Sequence, residues 1–367
     1  MTHHYRVYAG TYTTRLGHVE GQAQGIYVYD LDATTGALTQ IAVTDGIVNP
    51  SFLTVDSTQR YLYAVSEVKE SADTPGGRVY AYAIDPHSGG LTPLNDQPTR
   101  GTDPCHLSVD ATGRWVLVAN YSSGSVIIYP IQRDGSLGAA SDFHQHIGSS
   151  VNPRRQEGPH AHSFVIAPDN RFAYAPDLGM DKIMIYRLDV EQGKLSPAEQ
   201  PFIRTSPGGG PRHFDIHPNR KFAYCNLEIG NQVVVLAYDE ATGRLSELQM
   251  VPTLPEGFTG TSHTADIHVH PNGRFLYCSN RGHDSIAMYS VDPGTGLLTF
   301  LGCEPTQGNV PRNFALDPTG SLLLAANQNS STVAAYTIDQ ASGRLTPTGQ
   351  ISPVPTPVCL KFATVEA

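Results

Sequence analysis

"DIHVHPNGRFLYCSNR", Asp266 to Arg281, sets two short strand-like runs on either side of a tight polar turn. Ile267 and Val269 alternate with polar residues, His270-Pro271-Asn272-Gly273 makes the turn, and Phe275-Leu276-Tyr277 opens a second apolar run. Period-two alternation around a Pro/Gly turn describes a β-hairpin. The same design returns in "FLTVDSTQRYLYAVSE" (52–67), "HLSVDATGRWVLVANY" (106–121), "SFVIAPDNRFAYAPDL" (163–178), "FDIHPNRKFAYCNLE" (214–228) and "FALDPTGSLLLAANQ" (314–328). Aligned on the turn, Asp56, Asp110, Ala167, His217, His270 and Asp317 share one register, spaced 47 to 57 residues apart.

A third alternating run follows each hairpin, as in "SVIIYPI" and "SIAMYSVD". An Asp-x-x-Thr/Ser-Gly-x-Leu turn then leads into a fourth. Four antiparallel strands per unit, repeated near every 50 residues, predict an all-β chain of β-propeller blades. The two ends supply the seventh unit. "TPVCLKF" near the C-terminus reads as a lone first strand, and "YRVYAGTY" and "GIYVYDLD" near the N-terminus read as the second and third strands that lack one. Sharing a blade closes the ring and removes the open sheet edges. The expectation is a seven-bladed β-propeller of four-stranded antiparallel blades, with residues 1–367 as a single domain. A tandem of β-sandwiches leaves the complementary half-units unexplained.

Composition agrees. Among 367 residues there are 35 Gly and 27 Pro against 16% charged residues, a balance of short strands and tight turns. The net charge is −10 and the Lys and Arg are scattered, so no nucleic-acid partner is expected. No apolar run is long enough for a membrane helix and "MTHHYRVYAG" has no signal-peptide core, which predicts no membrane partner and a cytoplasmic setting. The five cysteines form no CxxC pair, and the His-x-His pairs His160/His162 and His268/His270 lack a third ligand. No metal and no cofactor is therefore expected.

In a blade the first strand lines the central tunnel and its hairpin closes one face. Two positions then converge at the opposite mouth. One is the residue before the first strand: Ser51, Cys105, His162, Arg212, Ala265, Arg312 and Val358. The other follows the second strand: Tyr12, Glu67, Tyr121, Leu178, Glu228, Arg281 and Gln328. Turn residues collect at one face, whereas His, Arg and Glu collect at this one. Such asymmetry is expected of a site grafted on a repeat scaffold. Taken singly, each residue has a plain structural role: a strand-start histidine, or an ion pair between blades. The coincidence of His162, Arg212, Glu228 and Arg281 at two equivalent positions makes them the candidate catalytic group. Arg312, His160, His283, Asn120 and Gln328 are the candidates for substrate contact.

Those motifs, "GPHAHS", "GPRHF", "NLEIGN" and "SNRGHD", resemble the propeller-type lactonase family over nearly the whole chain. That family includes bacterial 6-phosphogluconolactonases of propeller fold and the fungal carboxy-cis,cis-muconate cyclase. The resemblance implies a metal-independent enzyme with its site at one mouth. It assigns the acting histidine, arginines and glutamate to His162, Arg212, Arg281 and Glu228. The expected partner is a small anionic lactone or carboxylate, and the expected reaction is hydrolysis of 6-phosphogluconolactone. A cycloisomerase acting on a carboxymuconate and a non-catalytic binding propeller are the alternatives. An arginine beside Glu228 lowers its pKa and weakens it as a base, which favours His162 as proton carrier. Replacing either with Ala is expected to leave folding intact.

Overall fold

In the computed structural model, which describes residues 5–71 and 74–364, seven four-stranded antiparallel sheets follow one another around a ring. Two small hairpins, Arg15–Leu16 with Val19–Glu20 and Glu70–Ser71 with Thr74–Pro75, are appended to it. Blade one is the shared blade: Pro357–Thr364 pairs antiparallel with Tyr5–Thr11, followed by Ile26–Leu31 and Leu38–Thr44. Blades two to seven then run in chain order. Among the described residues no helix is long and apolar enough to cross a membrane.

The repeat motifs are the joints between blades. In the "YLY/FAY/FLY" run of the second strand, a fully buried tyrosine donates its hydroxyl to a glycine carbonyl in the next blade's last turn. Tyr8 reaches Gly89 (2.9 Å), Tyr63 reaches Gly135 (3.0 Å), Tyr174 reaches Gly243 (2.9 Å), Tyr224 reaches Gly296 (3.0 Å) and Tyr277 reaches Gly343 (2.8 Å). The turn needs glycine twice over. Gly243 and Gly296 both have φ of 72°, and a Cβ there would lie 2.4 Å from the Phe172 ring and 2.3 Å from the Phe222 ring. His217 and His270 make the corresponding joint at the hairpin turn, each bonding the next blade's turn carbonyl at 2.7 Å, Gly273 and Gly320 respectively. Apolar side chains of neighbouring blades interlock between these joints, as where Phe172 and Tyr174 pack with Phe214 and Leu236. The core is thus a circle of blade-to-blade contacts, and the tunnel and its mouths are left for polar residues.

Candidate active site

A short local device delivers side chains to the mouth. Asn49, Asp103, Gly210, Val310 and Thr356 all adopt positive φ, and each precedes a proline. Next come Ser51, Cys105, Arg212, Arg312 and Val358. A left-handed residue turns the chain sharply and proline then fixes φ as the strand begins. The register slips at once, skipping Cys105, Arg212 with His213, Ala265 with Asp266, Arg312, and Val358. These are β-bulges, which leave residues unpaired and re-aim their side chains. The sequence pattern placed these residues ahead of the first strand. In five blades they instead lie inside it, because the bulge lets pairing begin earlier. Ser51 and His162 do precede their strands, Leu53–Val55 and Val165–Ile166.

The mouth encloses a cavity of about 480 Å³ whose wall includes Glu67, Cys105, Tyr121, His162, Glu228, Arg281 and Arg312. Leu16 and His18 of the first small hairpin line it as well, so every blade contributes. Glu228, 4% exposed, is the hub of one side. Its Oε2 lies 3.0 Å from Arg212 Nε, 3.0 Å from Arg281 Nη2 and 3.7 Å from His162 Nε2, while Oε1 accepts from Arg155 Nη2 at 2.6 Å. Burial alone would raise its carboxyl. Arg281, Arg212, His162 and Arg155 together hold it well below the usual carboxylate range. Burial draws the Arg281 guanidinium down to about 10, which leaves it charged at neutral pH.

Burial and then Arg212 depress His162 well below 6.5, so its imidazole is neutral at pH 7 despite the nearby carboxylate. The Cys105 thiol donates to the His162 carbonyl oxygen at 3.3 Å, and its sulfur lies 3.7 Å from Nδ1. The two ring nitrogens thus face different neighbours, Nδ1 the Cys105 sulfur and Nε2 the Glu228 carboxylate. Behind Glu228 the chain of contacts continues into the tunnel. Arg212 Nη1 meets His213 Nε2 at 3.1 Å and His213 Nδ1 meets Asp266 Oδ1 at 2.6 Å, while Arg212 Nη1 also donates to the Ala265 carbonyl.

The structure brings His162, Glu228, Arg281 and Arg312 to one cavity and sets Arg212 just beneath it, 2% exposed and fully engaged. It does not bring the other predicted contacts to the wall. The Asn120 amide is consumed by the Thr99 carbonyl (3.2 Å) and Ser125 Oγ (3.1 Å), a scaffold bond that Asn280 and Asn327 repeat to Thr253 and Thr306. His160 stacks on Tyr121 at 4.7 Å and takes its backbone hold from Asp177, so it buttresses a wall residue. His283 bonds Ser285 Oγ at 2.6 Å and meets the Phe258 ring edge-on at 4.8 Å. Gln328 is buried against Asn329, 2.8 Å away. His268 and His270 diverge, one to Asp266 and the other to Gly320, so that His-x-His pair does not converge on a common point. Several wall residues lie outside the two predicted positions, among them Arg155, His18, Lys69, Asp103 and His263. Arg155 comes from the irregular "VNPRRQEGPHAH" linker, outside any blade register, and His18 from the small hairpin inserted between the second and third strands of blade one. The only available signal for Arg155 was the Arg-Arg pair just ahead of "GPHAHS".

Comparison with known proteins agrees with the architecture. Residues 6–362 match the family model "Lactonase, 7-bladed beta-propeller". A 6-phosphogluconolactonase of Bacillus subtilis is 40% identical over 355 residues, covering 97% of each chain. One of Pectobacterium carotovorum is 38% identical over 302 residues, covering 81% of this chain and 82% of the relative. The solved structure of a periplasmic gluconolactonase of Pseudomonas aeruginosa superimposes with a TM-score of 0.92 at 38% identity, over 99% of this chain and 100% of the other.

Proposed function

The chain belongs to the lactonase family of seven-bladed β-propellers, and from that premise we propose that it hydrolyses 6-phosphogluconolactone to 6-phosphogluconate at the cavity beside Glu228. One observation carries the reading: a neutral imidazole and a guanidinium with no protein partner face the same cavity. The imidazole is His162. The guanidinium is Arg312, which among the described residues makes neither a hydrogen bond nor an ion pair and rests on the Tyr12 ring at 5.6 Å. Arginines 155, 212 and 281 each pair with Glu228, Arg281 through Nη2. Arg312 is therefore the group with a free planar fork for a phosphate or carboxylate.

In this reading a water attacks the lactone carbonyl carbon and gives its proton to the His162 imidazole. Glu228 is too weakly basic to compete, but its charge stabilises the imidazolium as it forms. Arg281, on the cavity wall, faces the oxyanion of the tetrahedral intermediate. Arg212 holds Glu228 from below and touches no substrate. Because residues from every blade meet at the cavity, residues 1–367 act as one domain. The cytoplasmic setting belongs to the proposal too, in keeping with five free cysteine thiols, four of them buried.

The test incubates purified protein with freshly prepared 6-phosphogluconolactone and, separately, with a carboxymuconate, each against a buffer blank. Lactone consumption well above the blank, with the muconate untouched, is the expected result. A lactone rate equal to the blank removes the hydrolase reading. Muconate consumption alone selects the cycloisomerase.

A further inference from the structure

Expulsion of the ring oxygen as an alkoxide needs a proton as much as the attacking water needs a base, and Glu228 is not the only carboxyl on the cavity wall. Glu67 stands at the position in blade two that Glu228 holds in blade five, directly after the second strand, here Tyr61–Ser66. It lines the same cavity and is 9% exposed. Both of its carboxyl oxygens face the Tyr12 hydroxyl, at 3.1 and 3.0 Å, and among the described residues it forms no ion pair. Cys105 lines the same wall, with His162 Nδ1 3.7 Å from its sulfur.

We propose that Glu67 is the general acid of the reaction and protonates the departing ring oxygen. The inference rests on the lactonase reading given above. The bonds balance as follows. The water oxygen bonds to C1 and its proton passes to His162. As the tetrahedral intermediate collapses, the bond from C1 to the ring oxygen breaks and that oxygen takes the Glu67 proton. The product acid releases one proton to solvent, and the imidazolium proton returns through solvent to the Glu67 carboxylate. One water is consumed and one proton is released per turnover.

The surroundings suit the role. Burial raises the Glu67 carboxyl above its ordinary value, against the opposing pull of Arg312 and the Ser51 and Tyr12 hydroxyls, and Asp103 raises it further. Two carboxyl groups in one pocket, pushed in opposite directions, is the pattern of divided acid–base roles. The titratable groups facing Glu67 are Tyr12, Arg312, Asp103 and Cys105, with Lys69 and His18 on the same wall.

Glu67→Gln keeps the shape and the Tyr12 contact but carries no acidic proton. With an unchanged melting temperature, its kcat on 6-phosphogluconolactone is expected to fall about 10²-fold or more. The alkaline limb of the wild-type pH profile should vanish, and Glu67→Asp should restore part of both. A folded Glu67→Gln with wild-type kcat and an intact alkaline limb overturns the proposal while leaving the lactonase reading standing. A wild-type protein that does not consume the lactone removes both. Tyr12→Phe is the second variant. Losing a hydroxyl that lowers the Glu67 pKa should move the alkaline limb to higher pH, and a limb that stays in place also overturns the assignment.

Discussion

Glu228 and Glu67 occupy the same position in two blades of one ring, yet one is gripped by three guanidinium groups and the other by a phenol. On the Glu228 side the carboxyl sits within 3.0 Å of Arg212, Arg281 and Arg155 nitrogens and is kept ionised. On the Glu67 side burial outweighs the pull of Arg312 and of neighbouring hydroxyls, and the carboxyl is raised instead. The contrast teaches that a repeat places a side chain, whereas its neighbours from other blades decide its chemistry. A carboxylate satisfied by several cations holds a site together; one left with a hydroxyl keeps a proton to give.

The largest effect expected from this contrast is on the gripped side. Glu228→Gln leaves three guanidinium groups, Arg212 buried and Arg281 and Arg155 part-buried, without their counter-charge. Breaking a buried pair in this way costs about 3–5 kcal/mol. The unfolding midpoint in denaturant should fall accordingly, contrary to the simpler expectation that an acid–base residue can be replaced without harm to the fold. A midpoint matching wild type means that the clamp is dispensable and the two sides differ less than their geometry suggests.

Next comes the proton carrier. His162→Asn should keep the wild-type melting temperature and lower kcat by about 10²–10⁴-fold. The depressed imidazole adds a sign. The base form of His162 is present above its folded-state pKa, so kcat/KM should rise with pH through a midpoint below the ordinary value of about 6.5 and be level at neutrality. An acid limb centred above 6.5 would assign the base elsewhere.

Smaller changes sharpen the picture. Arg312→Ala removes a free charged donor worth about 1.5–3 kcal/mol, which should cut kcat/KM for the phosphorylated lactone by roughly 10–100-fold. Unphosphorylated gluconolactone, run beside it, should lose much less if Arg312 reads the phosphate. Least of all, Arg155→Met takes away one of the three cations on Glu228, and the half-exposed position predicts a loss of about tenfold or less in kcat/KM. An Arg155 effect equal to that of His162 would place Arg155 on the substrate itself.

Much of this was readable from local pattern. Period-two alternation, hairpin turns and the D-x-x-T-G-x-L turn recur because every blade faces the same packing problem, so one hairpin predicts the rest. The same register pointed to His162, Arg212, Glu228, Arg281, Arg312 and Glu67 as mouth residues. It also nominated Asn120 and Gln328, whose amide nitrogens bond protein oxygens, and a buried amide that bonds its own chain and one that meets a substrate look alike as letters. It missed Arg155, which enters from a linker with no repeat to index it.

What the amino-acid order determined by itself is therefore the ring: seven units, the shared closing blade and the family of residues at the mouth. These follow from hydrophobic period and turn chemistry, which act over a few neighbours along the chain. What only the tertiary structure decided is which charges meet. Electrostatic character depends on distances of 3–4 Å between residues as many as 73 positions apart, and on how much water reaches them. Glu228 became an anchored carboxylate and Glu67 a carboxyl with a raised pKa only when the ring closed around them.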